Sequence, residues 1–294
     1  MYELKKCELC PKKCKVDRRK NIGFCKAKNK LKIALASVHM WEEPCISYKN
    51  GSGTIFFSYC NLQCVYCQNY EVSRGYGKEI SIKRFSEICL ELQEKGVHNI
   101  NLVTPTHYVP LIIKGIKISK EKGLNIPIVY NTSGYESVDT IKKLEGTIDV
   151  YLTDLKYFDD KYARKYSNVT NYFSVATEAI SEMYKQVGKP LIKNNLMEKG
   201  IIVRILLLPG LLEDAKKTVE YLYKTYKNNI YISIMNQYTP IRQTEFEELN
   251  QTVKESDYEE LINYAYDLGI RNAFIQESGA ISESFVPKFD KRGV

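Results

Sequence analysis

Apolar, β-branched runs recur along this chain at 54–58, 100–103, 126–130, 149–153, 201–208 and 231–235, and each predicts a strand. Helical periodicity fills the intervals between them. Over 81–95, Phe85, Ile88, Cys89 and Leu92 fall on one stripe. Similar stretches run over 111–122, 138–144, 159–166, 172–187, 212–226 and 258–268, and Gly96, Gly123, Gly188 and Gly269 sit where helices would end. Strands alternating with helices predict a parallel sheet. Six such units predict an α/β fold, a partial (β/α)6 TIM-like barrel with its chemistry at the C-terminal strand ends. A strand over 32–40 would lead into it, and one near 272–276 would close it. The expected division is a small N-terminal module with a linker strand, 1–48, and a barrel, 49–294. No internal repeat stands out.

Composition narrows this to an ordinary globular protein, 44% hydrophobic and 27% charged over 294 residues. The longest apolar stretch, 201–212, is broken by Arg204, Pro209 and Gly210, so the sequence predicts no membrane span and no signal peptide. Nine cysteines without an export signal predict metal chemistry in a reducing cytoplasm. Charge is unevenly placed. Residues 1–32 hold twelve Lys/Arg against three acids, a net +9 in a chain of net +8. Such a segment can be a solvated face, or it can steer an acidic partner such as nucleic acid, an acidic protein or an acidic electron donor.

Seven of the cysteines fall into two groups. Cys7, Cys10, Cys14 and Cys25 supply four ligands within nineteen positions, enough for zinc or a closed iron–sulfur cluster. Cys60, Cys64 and Cys67 supply three, directly after the strand at 54–58. Three thiolates at this spacing can hold three corners of a cubane 4Fe-4S cluster and leave the fourth iron open to a ligand. A zinc site borrowing a fourth ligand is the alternative. Cys45 and Cys89 read as core thiols, His39 and His98 as structural.

The Cys-x3-Cys-x2-Cys triad with Tyr66 before its last cysteine is the signature of the radical S-adenosylmethionine (SAM) superfamily. Read with 39–47, 51–58, 68–70 and the N-terminal Cys-x2-Cys-Pro-x2-Cys, the chain resembles the PflX-like radical SAM proteins, relatives of pyruvate formate-lyase-activating enzyme. The resemblance implies that SAM chelates the open iron. One electron then cleaves it to methionine and a 5′-deoxyadenosyl radical that abstracts hydrogen from a substrate. It further implies an external electron donor such as flavodoxin or ferredoxin. A glycyl-radical enzyme is the implied protein substrate; a small molecule, a peptide or RNA is the other choice. A non-catalytic zinc protein that binds nucleic acid through the basic module is the alternative from another class.

The resemblance also suggests roles. Tyr66 would pack near the adenine. Thr104 and Thr106, where relatives carry Gly-Gly-Glu, would hold the SAM amino group. Asn131 and Ser133, then Asp154 and Lys156, would hold SAM and a monovalent cation. Arg204, costly in an apolar strand unless paired, is either a carboxylate clamp or the partner of a buried acid. His107 at a strand end is a candidate substrate contact or proton donor, or a satisfied structural histidine. Asn236, Gln237 and Tyr238 would line the substrate cavity.

Overall fold

The structure, a computed structural model, describes residues 4–276 and 286–294. Strand β1 (Leu31–His39) pairs antiparallel with β2 (Ser52–Phe57) and, at its start, with β3 (Lys78–Ile80). From β2 the sheet continues in parallel through β4 (Ile100–Val103), β5 (Ile128–Thr132) and β6 (Val150–Asp154). β7 (Leu191–Lys193) forms an antiparallel hairpin with β8 (Leu196–Leu206), and β8 pairs parallel with β6. β9 (Tyr231–Met235) and β10 (Ala273–Ile275) extend the parallel run to the far edge. The expected parallel strands are therefore all present, in an open, mostly parallel sheet. Sequence periodicity missed β3 and β7. The β7–β8 turn is Asn194–Asn195, with φ of 51° and 67°. Two left-handed residues give the twist a two-residue hairpin needs, and Asn tolerates them.

Side chains alternate across the strands, so each strand feeds two cores. Val129, Val150, Leu152 and Ile202 point to the concave side and pack on Cys45 and Ile46 of the short helix α1 (Pro44–Ser47). Tyr130, Tyr151, Ile201 and Val203 point outward, into the core beneath the helices. Those helices are α3 (Ile82–Glu94), α4 (Val109–Glu121), α5 (Val138–Lys142), α6 (Asp160–Ser167), α7 (Tyr172–Val187), α8 (Leu212–Tyr226) and α9 (Glu255–Leu268); α2 (Tyr70–Ser73) is a single turn. The helix pattern holds to within a few residues at each end. At the start of α3, Ser81 Oγ accepts from the Arg84 N–H at 3.0 Å, a helix cap.

The 1–48 boundary does not match the packing. β1 belongs to the main sheet, and Leu4, Leu9 and Ala27 join the same core as the barrel. The N-terminal segment is thus an apposed extension rather than a unit with its own core. Among the described residues no helix is long and apolar enough to cross a membrane.

Candidate active site

The loop from β2 to α2 carries the cysteine triad. It turns through two left-handed residues, Tyr59 (φ 76°) and Gln63 (φ 59°), and Asn61 Nδ2 ties it to the Tyr135 carbonyl at 2.8 Å. Cys60, Cys64 and Cys67 all line one cavity of about 550 Å³. Burial, with Cys64 adding, pushes the Cys60 thiol up to about 12 and Cys67 to about 11, so both thiolates need a compensating cation. Residues 58–69 contain no Asp, Glu or His. Two donors already face the sulfurs: Leu62 N–H lies 3.4 Å from Cys60 Sγ and Ser167 Oγ 3.0 Å from Cys64 Sγ. A soft, all-thiol set with hydrogen bonds to sulfur fits an iron–sulfur cluster. Among the described residues no three His, Cys, Asp or Glu side chains are grouped to hold a single metal ion. A cubane spreads its cysteines over separate irons, so the triad does not require such a group.

Tyr66 also lines the cavity, and its hydroxyl begins a buried chain. Tyr157 donates to it at 2.8 Å, Tyr157 and Ser167 share a 2.8 Å hydrogen bond, and Ser167 reaches Cys64 Sγ. Nothing local in the sequence signals this chain; Tyr157 and Ser167 arrive with the loop after β6 and the end of α6.

The strand ends supply the rest of the wall. Thr104, Asn131, Ser133, Asp154, Lys156 and Arg204 line the same cavity as the triad. Thr104 has φ 58°, rare for a β-branched residue, and its N–H bonds to the Asn131 carbonyl at 2.9 Å. Lys156 Nζ lies 2.5 Å from Asp154 Oδ2. Burial disfavours that ammonium, but Asp154 and the nearby Cys64 and Cys67 outweigh burial and hold its pKa up. The lysine therefore occupies one of the two Asp154 carboxylate oxygens. Gly134 is required beside them: at φ 78°, a Cβ would lie 2.2 Å from the Asp154 carbonyl oxygen.

Arg204 and His107 take the structural one of their two expected roles, and the role expected of Thr106 is corrected. Arg204 is no free clamp: Nε and Nη2 bind the two oxygens of Glu43 at 2.7 Å each, and Nη2 also meets Glu42. Burial opposes ionisation of Glu43, and Arg204 overcomes it, holding that carboxyl below its usual range. His107 does not line the cavity. It is buried, Nε2 meets the Ser58 carbonyl at 2.9 Å, and burial with Arg18 nearby pushes its pKa down to about 3. Thr106 is buried too, donating to Glu136 Oε1 at 2.5 Å instead of facing the cavity. Conversely His39, read as structural, does line the cavity. So do Glu42 and Glu43, which sequence reasoning passed over. Gln237 lines it as expected, whereas Asn236 does not, and the Tyr238 hydroxyl is turned to the Leu249 carbonyl at 2.5 Å. Cys45 and Cys89 are core thiols.

The N-terminal cysteines lie away from the cavity. Cys10 has Cys25 and Cys14 as charge neighbours, Cys25 has Cys7 and Cys14, and burial pushes the Cys10 thiol up to about 12. Lys13 N–H closes a turn on the Cys10 carbonyl at 3.0 Å, and a Cβ on Gly23 would lie 3.3 Å from Cys14 Sγ. Arg18 is not part of a basic surface. It is fully buried, donating to the carbonyls of Ala27 (3.1 Å), Lys28 (2.5 Å) and His107.

A cysteine triad at the mouth of an open parallel barrel, beside polar strand ends, defines a SAM-cleaving iron–sulfur fold. The chain belongs to the Radical SAM superfamily, whose sequence profile matches residues 54–222. An uncharacterised protein of Methanocaldococcus jannaschii is 28% identical over 278 aligned positions, covering 89% of this chain and 74% of the relative. Methylornithine synthase superimposes with a TM-score of 0.52 at 20% identity, over 76% of this chain and 63% of that one, and shows the fold alone. A domain of pyruvate-formate lyase-activating enzyme from Bacteroides vulgatus aligns with a TM-score of 0.43 at 17% identity, over 58% of this chain and 92% of that one.

Proposed function

We propose that this protein abstracts hydrogen from a substrate admitted to the cavity beside the triad, and that the substrate is a glycine-bearing segment of a partner enzyme, as in an activase. The observation that carries the reading is the shared cavity: triad, Tyr66 and strand ends face one space. Cys60, Cys64 and Cys67 would hold a 4Fe-4S cluster and leave one iron for SAM. When bound, these groups supply one electron to the sulfonium and release methionine with a 5′-deoxyadenosyl radical.

The chain's own contribution is placement. Tyr66 offers a ring to the adenine, fixed by its hydrogen bond to Tyr157. Thr104, Asn131 and Ser133 offer backbone and side-chain acceptors to the SAM amino group. The Asp154–Lys156 pair brings a fixed ammonium near the thiolates. Met40, Trp41 and Ile275 line the cavity and are among the exposed large apolar residues, a rim suited to a polypeptide. His39, on the same wall, is the side chain placed to carry a proton there. The four N-terminal cysteines would form a second iron–sulfur centre, or a zinc centre once their sulfurs close on one ion, since they are not so grouped in this structure. Nine free cysteines fit a reducing, cytoplasmic setting.

The test is anaerobic reduction with SAM, followed by addition of a candidate glycyl-radical enzyme. The reading expects 5′-deoxyadenosine and a glycyl radical signal that requires the partner. 5′-Deoxyadenosine without that signal for any such partner would move the substrate to a small molecule, a peptide or RNA.

A further inference from the structure

The N-terminal segment covers the outer side of the triad loop around one cysteine. Gln63, the residue before Cys64, donates through Nε2 to the Phe24 carbonyl at 3.2 Å. Lys12 donates to the Asn168 carbonyl at 3.1 Å, next to the Ser167 whose hydroxyl reaches Cys64 Sγ at 3.0 Å. The same Lys12 ammonium lies 4.2 Å from the Phe24 ring centroid, so the two contacts are joined. None of residues 4–30 lines the cavity. This face is therefore an approach to Cys64 that a substrate in the cavity leaves open.

Its surface is mostly cationic; among its described residues Glu8 is the one exposed acid, and Asp17 is taken up by Arg19. Lys5, Lys6, Lys13, Lys20, Lys26 and Lys28 are exposed, and none has a carboxylate partner among the described residues. Between Lys20 and Lys26 lies an apolar tip, Ile22 (50% exposed) and Phe24 (38%). Cations around an apolar tip suit an acidic protein better than a phosphate chain. Phosphate recognition favours free guanidinium groups, and this segment has none. Arg18 is buried on three carbonyls, and Arg19 binds Asp17 through Nε at 2.9 Å and Nη2 at 2.6 Å.

We infer that this lysine face docks a small acidic one-electron carrier protein, which reduces the cluster from the Cys64 side. The inference rests on the triad holding the cluster proposed above. The carrier loses one electron and the cluster gains one; no bond is made or broken and no proton moves.

The test uses the reconstituted holoprotein and follows bleaching of the cluster's visible absorbance in stopped flow. Reduced flavodoxin is the carrier, and photoreduced 5-deazariboflavin, which is small and uncharged, is the control reductant. The triple variant Lys13→Glu/Lys20→Glu/Lys26→Glu is expected to slow flavodoxin-driven reduction by about 10-fold or more at low ionic strength. Added salt should slow the wild type and shrink that difference. Deazaflavin-driven reduction should be unchanged, which shows that cluster and fold survive. The neutral Lys→Gln triple should fall between. An unchanged flavodoxin rate in the charge-reversed protein overturns the inference. So does RNA-oligonucleotide binding that the variant loses while its flavodoxin rate stays at the wild-type value. If deazaflavin bleaches nothing in the wild type, the cluster reading itself has failed, and the docking inference goes with it.

Discussion

The two cysteine groups use the same donor atom and end in opposite situations. Cys60, Cys64 and Cys67 sit on one loop at a strand's C-terminal end and face a cavity shared with the strand-end polar groups. Cys7, Cys10, Cys14 and Cys25 are spread over two turns and face no described cavity; Cys7 and Cys25 join the barrel's core, Cys10 is buried and Cys14 is half-buried. Three ligands facing open space suit a reactive centre. Four ligands away from the cavity, three of them buried, suit a centre that holds the chain in place. Position relative to the sheet, rather than cysteine count, separates the two.

The largest effect should break the comparison at the triad. Cys64→Ala should abolish 5′-deoxyadenosine formation, while any N-terminal metal, measured by elemental analysis, is retained. Cys25→Ser should do the reverse, lowering N-terminal metal and thermal stability while leaving a triad cluster that SAM still perturbs. Loss of both metals in either variant would show that the two groups are one site.

Next in size is Arg204. Its guanidinium neutralises Glu43 and Glu42 in the cavity wall. Arg204→Met leaves two buried carboxylates uncompensated and should destabilise by about 3–5 kcal/mol in urea unfolding. If Arg204 were a ligand clamp instead, the variant would unfold normally and lose only SAM or substrate affinity.

Glu136 gives a pH signature between the two regions. It is buried, accepts from Thr106 and Thr132, and burial pushes its pKa up to about 7. A carboxyl with a folded-state pKa above its unfolded value binds more protons when folded. It therefore costs stability progressively as pH rises from about 4.5 to 7, a loss on the order of 3 kcal/mol. Glu136→Gln should flatten the stability profile over that window; an unaltered slope would place the titration elsewhere. The smallest effect belongs to Tyr157→Phe. It removes one hydroxyl from the chain to Cys64 and should cost about 1 kcal/mol, with a measurable change in the cluster's reduction potential.

Much of this was legible because it is local. Most parallel strands are short apolar, β-branched runs, and the triad is a contiguous motif. What escaped is long-range. The sequence suggests a buried acid as one partner for Arg204, but not which one: Glu43 lies 161 positions away, in a run with no apolar period to mark it. His107 has the sequence look of a strand-end catalytic residue. Only packing shows that a 3-10 turn carries it (Thr106–Tyr108), aimed at the Ser58 carbonyl. The Asn194–Asn195 hairpin is the exception. Its turn chemistry was in the sequence, and the long apolar run of β8 masked it.

The most direct measurement is on anaerobically purified, reconstituted protein: iron, sulfide and zinc content, then the paramagnetic signal and 5′-deoxyadenosine after reduction with SAM. About four irons with one zinc, or about eight irons, are expected, with a signal that SAM alters and 5′-deoxyadenosine that Cys64→Ala does not form. Zinc without iron or sulfide, and no response to SAM, would contradict it.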